Sequence, residues 1–496
     1  MFNGGLSHQK VSDMPWMLFS LLIFLLLLVF LYCRRTRRKN EPPLDKGFLP
    51  WLGHALAFRR DTAKFLSEMK DKHGDVFTVC VAGHYVTVLL DPNSFDEVMK
   101  DNVHLKLSRQ RQQLMEKVFG VCLPNMEASA EKTFMKQHFQ GVHLDQLDAS
   151  LSAHLQELIL HHQCNQSEWR QDGLFSFCYS LLFRAGYLSL FENKKNVNEV
   201  YQEFRKFDHL LSKMARRSLE GNESETILSS RRRLWELLSR TENGGRDEQK
   251  SWQDKYQHFL QKEGVNAEMQ TKAVLMQLWT TQCNAGPTAF WLLGFLLTHP
   301  EAMKALQSEL RGLTLEDMSP QPPSTTETHS TPVFDSILKE TLRLTAAALI
   351  TREVVDYKIL HMSNGQKYHL RPGDKVCVFP FLSPQMDPEI HQEPQTFKYD
   401  RFLDQEVTTK HVFYKDGRRL KYANLPWGAG SNICVGKHFA ITIIKKFVFL
   451  MLAHVDLQLC EPTAGIPPVD PSRYGYGIMQ PDGDLLVKYR LKLNSL

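Results

Sequence analysis

One cysteine in this sequence stands in a setting suited to chemistry. The stretch Trp427-Gly428-Ala429-Gly430-Ser431-Asn432-Ile433-Cys434-Val435-Gly436 sets three glycines around Cys434 and leads into an apolar helical run from Phe439. Glycine tolerates close approaches that a Cβ forbids, so the loop suits a flat cofactor lying against the backbone. A helix start also favours thiolate over thiol, because unpaired N–H groups and the helix dipole stabilise negative charge. A buried, inert thiol fits the same residues and is the common fate of a free cysteine. Glu340 and Arg343, three apart, share one face of a helix and can pair. Pro287 lies inside an otherwise helical run, where it costs about 3 kcal/mol, frees a carbonyl and predicts a kink.

Together these segments resemble the cytochrome P-450 superfamily. The aromatic-Gly-x-Gly-x-x-x-Cys-x-Gly pattern is similar to that family's cysteine loop. Glu340-Thr341-Leu342-Arg343 resembles its Glu-x-x-Arg helix, and Tyr399-Asp400-Arg401-Phe402 its arginine-bearing segment. The resemblance runs from residue 15 to the C-terminus. It implies a mainly α fold with a small β portion, haem b held by Cys434 as thiolate ligand of the iron, and a Glu340–Arg343–Arg401 network. Trp427, Gly428, Gly430, Asn432 and Gly436 would then line the cofactor. The sequence also departs from the pattern. Asn432 stands where the family usually has a cation for a haem propionate, and Phe134 and His138 where it has a Trp and an Arg. Arg352 keeps the place of another propionate contact.

A further departure concerns proton delivery. The family carries an acid and a threonine on the helix crossing the haem; here that run is Cys283-Asn284-Ala285-Gly286-Pro287-Thr288. With Cys283 as first residue, Gly286 replaces the acid and Pro287 the alcohol; in the other register Thr288 serves as the alcohol. Without that pair, ordinary hydroxylation lacks its protons. A substrate that brings its own peroxide does not need them. The stretches Glu41-Pro42-Pro43-Leu44-Asp45, Gly286-Pro287, Phe290-Trp291-Leu292-Leu293 and Ser472-Arg473-Tyr474-Gly475 are similar to the superfamily's isomerase branch. That likeness implies conversion of prostaglandin H2 to prostacyclin by homolytic cleavage of the endoperoxide O–O bond, with no dioxygen, NADPH or obligatory reductase. Asn284 would donate a hydrogen bond to a peroxide oxygen. Lys117, Leu123, Thr351, Arg352 and Lys375 would lie near the lipid chain or its carboxylate. Implied partners are the lipid endoperoxide, the endoplasmic reticulum membrane and functional coupling to an endoperoxide-forming cyclooxygenase. A sterol hydroxylase using NADPH is the competing reading, and a non-enzymatic haem sensor or carrier is another.

These residues need elements to position them. Alternation of apolar residues predicts a hairpin over Val76–Val81 and Tyr85–Leu90, and a second β region from Val354 to Phe381. Helical spacing covers Phe65–Lys72, Leu144–His161, Val200–Met214, Lys272–Leu297 and Phe439–His454. Two polar stretches, Glu220–Ser229 and Thr314–Pro332, read as mobile surface loops without core residues. At the N-terminus, Trp16 to Cys33 runs eighteen residues without a charge, close to the roughly 20 that span a bilayer. The basic cluster follows the apolar run, and no small-residue cleavage site succeeds it, so the segment reads as an uncleaved anchor. The organisation expected is residues 1–15 lumenal, 16–33 spanning, a basic and Pro-rich linker at 34–53, and a cytosolic domain at 54–496. Arg34, Arg35, Arg37, Arg38 and Lys39 account for the net charge of +5, and residues 40–496 sum to zero. A domain without excess positive charge argues against a nucleic-acid partner. Nine scattered cysteines with no Cys-x-x-Cys predict no disulfide framework and no zinc site.

Overall fold

The computed structural model describes residues 13–32, 35–123, 128–160, 168–193, 195–239, 251–319 and 331–492. Helices dominate it, and its largest sheet has six strands in the order Leu44–Asp45, Val76–Val81, His84–Leu89, Lys375–Val378, Ile350–Val354 and Leu105–Lys106. The expected hairpin forms, turning at Ala82 and Gly83. Side chains alternate across the sheet. Val76, Leu89, Val354, Val376 and Val378 pack with Leu425 and Ala429 on one face, while Phe77, Val79, Val88 and Phe379 pack with Phe65 and Tyr474 on the other.

The main core gathers the helices Leu174–Phe191, Ala267–Gln282, Ala285–Thr298, Pro332–Thr345 and Lys437–His454. Leu174–Phe191 is apolar all round and 83% buried, so it is the hydrophobic centre of the domain despite having the length and composition of a span. The Asp13–Tyr32 helix is its opposite. Trp16 is 73% exposed and Leu26 58%, and the apolar side chains from Trp16 to Leu28 lie open. Twenty helical residues reach about 30 Å, the thickness of a bilayer's hydrocarbon core. Residues 1–12, Cys33 and Arg34 of the expected anchor region lie outside the described residues.

Residues 35–53 are tied closely to the domain. Arg35 donates to Asp374 at 2.5 Å, and Arg371 clasps Glu41 at 2.5 and 2.7 Å. Leu44 and Asp45 add a parallel strand beside Thr78 and Val79.

Two expectations are corrected. Glu220–Ser229 is not a loop, because Glu223–Leu238 is a helix whose Ile227, Ser230, Leu234 and Leu238 are buried. Its polar first turn hides an apolar face that becomes visible only when the window extends to Leu238. Thr314–Pro332 contains a core residue, Met318, at 3% exposure, and Pro332 opens the Pro332–Thr345 helix at its first turn, where a missing N–H is harmless. Residues 320–330 of that stretch lie outside the described residues.

Candidate active site

The cysteine loop closes through Cys434 N–H, which donates to Trp427 O at 2.8 Å. Gly428 and Gly430 have φ of +70° and +60°. A Cβ on Gly428 would lie 3.0 Å from Asn432 O, and one on Gly430 3.1 Å from Met99 O. These two glycines serve the turn itself. Gly436 differs, since a Cβ there would meet nothing within 4 Å and its face borders open space. Trp427 packs at the edge of the main core, while Asn432 is exposed. Among the seven described cysteines only Cys434 is exposed. Surrounding protein nevertheless pushes its thiol up, against the N–H of Gly436.

Behind the loop the expected network is complete and buried. Arg343 grips Glu340 through Nε at 2.7 Å and NH2 at 2.8 Å, and its NH1 donates to Gln385 O and Pro394 O, both at 2.6 Å. Arg401 Nε reaches Glu340 Oε1 at 2.8 Å and caps the carbonyls of Gln392, Glu393 and Thr396. This clasp joins the Pro332–Thr345 helix to the segment leading into the cysteine loop.

The long helix expected at Lys272–Leu297 is two helices, Ala267–Gln282 and Ala285–Thr298. The break falls at Cys283 and Asn284. Pro287 explains it: without an N–H it cannot reach Cys283 O, and as the third residue of the second helix it needs no partner. Tyr179 OH lies 3.5 Å from the freed Cys283 carbonyl. Burial, then Asp208, pushes the Cys283 thiol well up.

At this break Asn284 Oδ1 accepts the Ile478 N–H at 3.0 Å, which fixes the amide and turns its NH2 into the open donor. Gly286 is sealed: a Cβ there would sit 2.8 Å from Tyr179 Cγ and 2.9 Å from its Cα, so no carboxylate fits. Thr288 is 2% exposed, and its hydroxyl donates to Asn284 O at 2.8 Å. Its proton is already engaged.

Arg352 is 4% exposed; its NH1 donates to Thr351 O at 2.9 Å, and no ion pair is found for it among the described residues. Burial lowers its pKa. It lies opposite Val376 and so shares the sheet face of Ala429 in the cysteine loop. Strand alternation sends Thr351, opposite Cys377, and Lys375, opposite Glu353, to the other face. Burial pulls the Lys375 amine down and Glu353 opposes this. Lys117 donates to Ala215 O at 2.6 Å, capping the C-terminus of the Val197–Ala215 helix, and Leu123 packs against the main core. The structure thus puts Arg352 on one face of the sheet and Thr351 and Lys375 on the other, and engages the Lys117 amine in a helix cap. His138 gives Phe134 O its Nδ1 contact at 2.8 Å, and burial first, with His143 and Lys255, lowers its pKa. It is neutral near pH 7 and no substitute for an arginine. Phe134 stacks on Phe259 in the core. Tyr179 and Ile478, which shape the break, gave no signal in the sequence because both act from distant segments.

Residues 42–488 match the family model described as Cytochrome P-450. The chain is a cytochrome P-450. It is 45% identical to human (Homo sapiens) prostacyclin synthase over 92% of this chain and 95% of that one. It is 41% identical to the 5-beta-cholestane-3-alpha,7-alpha-diol 12-alpha-hydroxylase of Sus scrofa over 92% of this chain and 94% of that protein. As a member of this family it carries haem with a cysteine thiolate on the iron.

The residues present fit that cofactor. Cys434 offers an exposed sulfur beside the open face of Gly436, and Arg352 is a buried cation that lacks a carboxylate. A haem propionate supplies such an anion. With Asn432 and Phe134 uncharged, Arg352 would be the cation available to such a propionate among the residues singled out. Arg352→Gln should therefore release haem faster, by the loss of one charge-assisted hydrogen bond, about 1.5–3 kcal/mol or roughly ten- to a hundredfold. Haem transfer to an excess of apo-globin measures this, and an unchanged rate would remove Arg352 from that role.

Proposed function

We propose that this cytochrome P-450 is an isomerase that converts prostaglandin H2 to prostacyclin by homolytic cleavage of the endoperoxide O–O bond, without dioxygen, NADPH or reductase. The observation that carries the reading is the helix break itself, which presents an amide donor at Asn284 and no acid–alcohol pair. Haem bound through Cys434 supplies the electron donation that promotes O–O cleavage. Asn284, held by Ile478 N–H, orients one peroxide oxygen with its free NH2. Tyr179 fills the space an acid would need at Gly286, and Thr288 keeps its proton on Asn284 O. An ordered proton supply is thereby withheld, which suits a substrate whose two oxygens both remain in the product.

The anchor reading belongs with this. The exposed apolar helix Asp13–Tyr32, followed by Arg35, Arg37, Arg38 and Lys39, supports a single span in the endoplasmic reticulum with the haem domain on the cytosolic side. A membrane seat also suits a lipid endoperoxide delivered by a cyclooxygenase in the same bilayer.

The sterol hydroxylase relatives supply the competitor. The purified protein is expected to turn over prostaglandin H2 in an oxygen-free cuvette with no reductant. Asn284→Ala should slow that turnover by about 1–3 kcal/mol of barrier, roughly ten- to a hundredfold, with haem content unchanged. Failure of the anaerobic reaction, together with hydroxylation of a sterol when NADPH, reductase and air are supplied, would reject the isomerase in favour of a monooxygenase.

A further inference from the structure

Asp208, on the Val197–Ala215 helix, is fully buried and collects polar side chains from several segments. Its Oδ1 accepts from Trp279 Nε1 at 3.0 Å and from Arg473 NH1 at 3.3 Å. Its Oδ2 accepts from Gln480 Nε2 at 2.8 Å, Arg473 NH2 at 3.1 Å, Arg205 NH1 at 3.3 Å and Tyr179 OH at 3.4 Å. Arg473 NH2 also donates to the Asp208 carbonyl at 2.7 Å. Burial pushes the carboxyl up, but Arg473 and Arg205 outweigh it and hold it below its ordinary range, so it stays charged. Such a cluster is a poor device for stability alone, since buried ion pairs are often matched by apolar residues of equal volume.

Its partners have something else in common: they frame the helix break. Trp279 lies in the last turn before it, with its carbonyl accepting Cys283 N–H at 3.0 Å. Tyr179 meets the freed Cys283 carbonyl and closes Gly286. Arg473 and Gln480 bracket the segment whose Ile478 N–H holds Asn284. That segment is pinned again where Ala347 N–H donates to Gly477 O and Met479 N–H to Thr345 O, both at 2.9 Å.

We propose that Asp208 is a positioning residue for the distal site. It holds the helix end bearing Asn284 and the Arg473–Gln480 segment bearing Ile478 in one register, and so aims the Asn284 amide. The proposal rests on the reading that this amide donates to substrate, and its test separates the two.

The full-length haem-loaded protein is compared as wild type, Asp208→Asn, Asn284→Ala and the double variant. Gln480→Met, alone and with Asn284→Ala, leaves both arginines paired and decides the matter if Asp208→Asn does not fold. Two readouts are taken: amide hydrogen exchange at Ile478, and anaerobic turnover of prostaglandin H2. Asp208→Asn or Gln480→Met should speed Ile478 exchange roughly fivefold or more and slow turnover roughly tenfold. Neither effect should appear once Asn284 is alanine, because Ile478 has then already lost its acceptor. Equal effects with and without Asn284, no change in exchange, or wild-type turnover in both single variants would overturn the proposal. Coupled exchange in a protein that does not turn over the endoperoxide would leave the positioning role standing and remove the isomerase reading.

Discussion

Cys434→Ser should yield a protein that folds but lacks the long-wavelength carbon monoxide band of thiolate-ligated ferrous haem, with turnover lower by at least about a thousandfold. Serine preserves the shape of the loop, whose closure depends on the backbone bond from residue 434 to Trp427 O and on the turn glycines. What it removes is the only exposed cysteine thiol among the described residues. Cys178 and Cys283 are buried, with thiols pushed well up by burial, and burial raises that of Cys377 to about 12. A hydroxyl is a far weaker anionic donor than a thiolate, so the electron donation that favours O–O cleavage goes with it. A thousandfold corresponds to about 4 kcal/mol of barrier. Retention of the band by the variant would mean that another residue ligates the iron.

Arg343→Ala should cost the fold itself about 3–5 kcal/mol, the usual loss when one partner of a buried pair is removed. Against a total stability of roughly 5–15 kcal/mol, that is enough to unfold much of the population. The geometry explains why the loss is severe. Arg343 has no exposed surface and spends its guanidinium on Glu340 and on the carbonyls of Gln385 and Pro394. Alanine would strand both carbonyls and loosen Glu340. Arg401 remains on Glu340 Oε1, so the carboxylate would keep one cation while losing its two-pronged grip. Thermal unfolding, together with the fraction of protein that retains haem, measures the effect. A variant melting with the wild type would show that this clasp does not support the cysteine loop.

Much of this was legible in the sequence because it depends on neighbours along the chain. Cys434 and its glycines, the three-residue spacing of Glu340 and Arg343, and the apolar run from Trp16 each announce themselves within a few residues. So did the consequence of Pro287, since a missing N–H acts four residues back wherever the helix lies. What spacing could not say is which face a strand residue takes. Arg352 and Thr351 are adjacent in sequence, yet the sheet register puts only Arg352 on the side of the cysteine loop. Nor could local pattern reveal that Lys117 caps a helix ending at Ala215, or that Glu223–Leu238 has a buried face.

The sequence by itself therefore singled out Cys434 and its glycine loop, the Glu340–Arg343 pair, the apolar run from Trp16 and the Gly286-Pro287 departure, all of them matters of residue type at short separation. Only the tertiary structure decided how the distal site is built. Tyr179 closes Gly286, Ile478 turns the Asn284 amide, and Asp208 draws Trp279, Arg473 and Gln480 together. These contacts join segments far apart in the chain. Their partners are chosen by how the helices and the C-terminal loops pack, and no local preference of the backbone encodes that choice.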